Sequence, residues 1–205
     1  MRFPFPMLTM FLAFIGVLTY RLHKARNNHS QRLEEFWEKE RQADLAPTKD
    51  LSHITYITIP LEKFPLHFSD DPEIDMIEEE LEQLSGKRLL NLNGKTNTEL
   101  KLEYGAQNLE IMQEIGDDFS RMTMLLTDYA KGLMQEGRFE DAITVLEFGL
   151  SVGSDISTNY ILLGDCYQST GQPGKIQKLK EDVKKLHLLL EKKILDYLES
   201  LGQSE

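Results

Sequence analysis

Two segments of this chain repeat each other at an offset of 34 residues, and no other feature restricts the fold as strongly. Tyr129, Ala130, Leu133 and Gly137 recur as Leu163, Gly164, Tyr167 and Gly171. Small residue falls on small, and large apolar residue on large. Phe139, Ala142, Leu146 and Leu150 continue the first pass, and the whole pattern runs from about Thr123 to about Leu186. A period of this length with helical spacing predicts stacked helix-turn-helix units. Small side chains at Ala130, Gly164 and Ala142 let helix axes cross closely, while large neighbours three and four positions away bury themselves in the grooves. Gly137 and Gly171 are placed to end the first helix of each unit, where a left-handed residue satisfies terminal carbonyls at little steric cost.

The run Gly137-Arg138-Phe139-Glu140-Asp141-Ala142, with the 34-residue period, resembles the tetratricopeptide (TPR) repeat family. The resemblance covers about a third of the chain. It departs from the family pattern at Pro173 and Ile176, which stand for an aromatic and an alanine, and at Ser154, which stands for a closing proline. It implies a protein-binding groove lined by outward residues of the first helices. Those are Met124, Thr127, Lys131 and Met134 in one unit and Thr158, Ile161, Asp165 and Gln168 in the other. Thr127 and Asp165 stand where the family's clamp for a terminal carboxylate needs other residues, so an extended or helical peptide is expected instead.

Met1 to Tyr20 is an almost uninterrupted apolar run, followed by Arg21-Leu22-His23-Lys24-Ala25-Arg26. Its nine Leu, Ile, Phe and Val residues are each worth at most roughly 0.3–0.6 kcal/mol of insertion free energy. The reading is a single transmembrane anchor over residues 3–20, with Pro4 and Pro6 at the membrane face, inside a segment 1–26. A cleaved secretory signal is the rival. Against it, the basic residues follow the apolar run and Leu18-Thr19-Tyr20-Arg21 offers no small-residue cleavage site. The basic flank places the C-terminal part on the cytoplasmic side of a cell membrane. Asn28-His29-Ser30 has the form of a glycosylation acceptor but would face the wrong side.

The chain carries a formal net charge of −11 although its first 26 residues hold Arg2, Arg21, Lys24 and Arg26 and no acid. The remainder is therefore more acidic still, which argues against nucleic-acid binding. The single cysteine, Cys166, cannot form an internal disulfide and reads as a buried, inert thiol.

Residues 27–47 read as a charged juxtamembrane helix or stalk, capped at Ser30, with Leu33, Phe36 and Trp37 on one face for the headgroup region, a partner or the domain itself. Residues 48–122 read as a mixed α/β packing region. Ile54–Ile59 and Leu89–Leu92 are expected to pair as a short two-stranded element beside an acidic helix over 72–84, whose stripe is Ile74, Ile77, Leu81 and Leu84. Glu78-Glu79-Glu80 reads as a solvated face rather than a metal site. Asn93-Gly94-Lys95-Thr96 lacks the first glycine of a phosphate-binding loop, its place being Leu89; Thr96 and Glu99 instead have capping-box form. Gly116-Asp117-Asp118 is expected to lead into the first repeat helix. Residues 123–205 form the repeat domain. Its lysine-rich tail, with Ile176, Leu179, Val183, Leu186, Leu190, Ile194, Tyr197 and Leu201 at helical spacing, either caps the stack or zips two copies into a homodimer.

No catalytic, cofactor or metal motif emerges. His23, His29, His53, His67 and His187 lack base or ligand spacing, and no serine sits in a nucleophile turn. The expected fold class is mainly α, a transmembrane helix followed by helical hairpins with a small β element. The expected function is a membrane-tethered adaptor for a protein or peptide; a structural subunit of a membrane assembly is the alternative, and an enzyme is not expected.

Overall fold

A computed structural model describes residues 5–186 and 190–201. Among the described residues eight α-helices follow one another: α1 (Phe5–Asp44), α2 (Pro72–Ser85), α3 (Asn97–Tyr104), α4 (Leu109–Gln135), α5 (Phe139–Ser151), α6 (Ser157–Ser169), α7 (Pro173–Leu186) and α8 (Glu191–Leu201). His187, residues 1–4 of the expected anchor, and the side chains of residues 5–8, Asn28 and Leu186 lie outside the description. The chain forms two compact units. One runs up to Leu51 and includes Lys95–Leu109; the other comprises Ser52–Gly94 and Glu110 onward.

In the first unit α1 is continuous from Phe5 to Asp44, so the expected break and cap at Ser30 do not occur. Residues 21–29 contain neither Gly nor Pro, and nothing there stops a helix once started. The expected transmembrane helix is not found: among the described residues no helix is long and apolar enough to cross a membrane. The apolar stretch with described side chains runs from Thr9 to Tyr20 and is exposed throughout. It passes without interruption into charged helix from Arg21 onward. At its other end, the carboxylate of Glu40 accepts from Thr98 and, with Asp44, pairs with Lys101. Thr96 and Glu99 make the expected capping box, with Thr96 N donating to Glu99 Oε2 at 2.8 Å.

Among the described residues of the second unit there is no strand. Ile57 and Leu89, from the two expected strands, meet only in an isolated antiparallel bridge, Ile57 N donating to Leu89 O at 2.8 Å. Pro60, which has no N–H, follows closely, and Ile59 and Leu89 turn into a core made by helices. The expected β element is therefore replaced by irregular chain lying on helices. α4 is also longer than expected, running unbroken through Gly116. A Cβ there would stand 3.4 Å from Leu92 Cδ1, so this glycine permits close packing and does not end a helix.

α4 with α5, and α6 with α7, form two successive hairpins whose interiors keep the 34-residue offset. Tyr129 and Leu163 are buried in corresponding places, as are Ala130 and Gly164, and Leu133 and Tyr167. Gly137 and Gly171 have φ of 72° and 69°. Each closes a helix with the same two-bond cap, in which Arg138 N donates to Leu133 O and Gln172 N to Tyr167 O, both at 2.8 Å. The C-terminal apolar residues join this interior: Ile176, Leu179, Val183, Ile194 and Leu198 are all buried.

Candidate functional site

The eight residues marked out by the repeat register occupy unlike surroundings. Met124 is half exposed, and Lys131 is exposed and paired with Asp128 at 2.7 Å. Met134, Thr158 and Ile161 are partly buried. Thr127 is buried, its hydroxyl shared between Thr123 O and the side chain of Asn159. Asp165 accepts from Tyr197 of α8 at 2.7 Å, and Gln168 donates to Leu201 O at 3.2 Å. The structure thus brings these eight onto α4 and α6, with α8 lying over the second set. That hydrogen bond, with burial, raises the Tyr197 hydroxyl to about 12.

A cleft that the repeat register does not point to lies on the other side of α6, between α5 and α7, and encloses about 510 Å³. Ligand clefts typically fall in this size range. Its floor is apolar: Leu150 from α5, Tyr160, Leu163 and Tyr167 from α6, and Leu179 from α7. Its rim is charged, with Glu147 on α5 facing Lys175, Lys178, Asp182 and Lys185 on α7.

The rim is only partly neutralised. Glu147 accepts from Tyr167 at 2.7 Å and from Lys175 at 3.0 Å. Burial opposes its ionisation, but those hydrogen bonds outweigh it and hold the carboxyl below its usual range. Lys175 also lies over the Tyr167 ring, 5.1 Å from its centre. Lys185 pairs with Asp182 one turn away at 3.0 Å in an exposed geometry, a kind of pair that stabilises little. Lys178 makes no ion pair among the described residues, although it lies within the field of Glu147. Tyr160, raised to about 12 by burial, donates to Ser154 O at 3.0 Å and fixes the inner wall. Lys175, Lys178 and Lys185 share one face of α7, a spacing visible in the sequence, but the walls that make that face a cleft come from three helices.

Elsewhere in this unit the acidic run is not uniformly solvated. Glu78 is buried, accepting from the His67 backbone N–H at 2.8 Å and from Tyr129 Oη at 3.0 Å. His67 has a φ of 57°, and its exposed ring places Nδ1 3.2 Å from the same carboxylate. The three groups tie the loop before α2 to α4. Glu80 makes a two-pronged pair with Arg121, at 2.6 and 2.5 Å. Cys166 is buried, and burial lifts its thiol to about 12, which leaves it almost entirely protonated and unreactive at neutral pH. Among the described residues no group of His, Cys, Asp and Glu could hold a metal ion.

Comparison with protein-family models, with curated proteins and with solved structures finds no match to this chain.

Proposed function

We propose that this protein is an interaction adaptor of the TPR-like kind, a pair of helical hairpins that takes a protein or peptide partner while the leading helix holds the chain to a lipid surface. The observation that carries the reading is the open cleft between α5 and α7, apolar at its floor and charged at its rim. Such a combination suits a peptide that rests an apolar side chain against the partly exposed Leu150 and meets the edge with its polar groups. Attachment to lipid is supported by α1, where Phe11, Phe14 and Leu18 are exposed at 60%, 63% and 44%, with Arg21, Lys24 and Arg26 following to meet anionic headgroups. Here the helix is inserted into the surface and does not span it.

One experiment separates this from a structural subunit. A photo-crosslinking residue is placed in the full chain, in its native cell, at Ser151 in the cleft, at Thr144 on the exposed part of α5 outside it, or at Phe14. The adaptor reading expects a protein adduct from Ser151, none from Thr144 and lipid adducts from Phe14. Protein adducts from Phe14 with none from Ser151 would make the chain a subunit packed through its first helix.

A further inference from the structure

The charge of the cleft specifies what kind of peptide enters it. α7 carries five lysines, Lys175, Lys178, Lys180, Lys184 and Lys185, against Glu181 and Asp182. It is a positively charged element in a chain of net charge −11. Three of those lysines line the cleft, where they outnumber Glu147 and Asp182. Their availability differs. Lys175 is held by Glu147 and by the face of Tyr167. Lys178 has no ion pair among the described residues, and the exposed pairing of Lys185 with Asp182 is readily exchanged for a better partner.

From Lys175 to Lys185 the cleft follows α7 for about 15 Å, roughly three helical turns. Beneath them Leu163, Leu179 and the Tyr160 ring belong to the closed core, and the apolar side chain left partly exposed is Leu150 of α5, which takes an aliphatic side chain of an arriving helix. A bound helix of this kind presents its next residues to the α7 rim, and carboxylates there meet Lys178 and Lys185. We infer that the α5–α7 cleft binds an acidic amphipathic peptide helix, with an aliphatic anchor against Leu150 and carboxylates on Lys178 and Lys185. The inference rests on the adaptor reading above and adds the partner's chemistry to it.

The test uses the full chain and two fluorescent peptides of about twelve residues, with leucine at identical helical positions and either glutamate or lysine elsewhere. The glutamate peptide is expected to bind about tenfold more tightly, and to weaken as salt rises from about 0.15 to about 1 M. Lys178→Glu should cut its affinity about tenfold, whereas Lys184→Glu, the same charge change on the same helix outside the cleft, should leave it nearly unchanged. Lys178→Gln, which adds no repulsion, should give an intermediate loss, and thermal unfolding of each variant confirms that it is folded.

Equal affinity for the two peptides overturns the acidic preference and leaves the adaptor reading standing. Equal effects of Lys178→Glu and Lys184→Glu overturn the site. Binding of neither peptide, with saturable binding of dodecanoate, overturns both and assigns the cleft to small amphiphiles.

Discussion

Replacing Leu133 with alanine is expected to destabilise the hairpin unit by about 2–5 kcal/mol, the usual cost of removing a fully buried leucine from a packed core. Leu133 is 0% exposed, and its carbonyl accepts the bond that closes α4. The residue 34 positions on, Tyr167, lies 5% exposed in the corresponding place of the next hairpin. Both belong to one apolar cluster that continues through Val145, Leu146 and Leu163 to Val183, Ile194 and Leu198. Because the interior is shared, the loss should appear as a single earlier transition in urea, with α4 to α8 unfolding together. Two separated transitions, with only the first hairpin affected, would mean that the hairpins do not share a core.

The second large effect belongs to the other unit. Gly105 has φ 97° and ψ 145°, and a Cβ there would lie 2.5 Å from Pro47 O and 2.6 Å from Thr48 Cα, both backbone atoms. A backbone conformation this unfavourable for other residues costs about 1–3 kcal/mol before any collision is counted. The collision adds to that, because no flexible side chain can yield. Ala106 N donates to Ala46 O at 3.2 Å, Lys49 N to Tyr104 O at 3.1 Å, and Asn108 Nδ2 to Lys49 O at 2.8 Å. Gly105→Ala should break these ties, so that limited proteolysis cuts at 46–50 while amide exchange in α4–α7 stays slow. Unchanged proteolysis would show that the 46–49 segment can move aside at no cost.

The periodic part of the architecture was legible in the residues. Small-on-small and large-on-large matches at 34 residues, with Gly137 and Gly171, lead directly to two hairpins closed by identical left-handed caps. The Thr96–Glu99 capping box was equally plain, because every group in it is local. Errors arose where tertiary contacts overrode local preference. Ile57 and Ile59 have strand-forming side chains, but the surface they meet is helical and the pairing stops at one bridge. Gly116 resembles a helix break until Leu92 is found packed on it. Glu78 resembles its solvated neighbours until the loop at His67 brings a backbone N–H, and α4 the Tyr129 hydroxyl, to its carboxylate. The expected anchor took the apolar run as a span of its own, whereas among the described residues no helix is long and apolar enough to cross a membrane, and the run continues into charged helix. The cleft escaped notice for a different reason: its walls come from three helices, and no window along the chain holds Glu147, Tyr167 and Lys178 together.

The central claim is that the partner enters on the α5–α7 side of α6, and amide hydrogen exchange of the full chain with and without the acidic peptide reads it residue by residue. Protection is expected to rise along 147–151 and 175–185, with the exposed face of α4 around Met124 and Lys131 unchanged. Protection rising instead over 124–134, with 175–185 unaltered, would contradict the account.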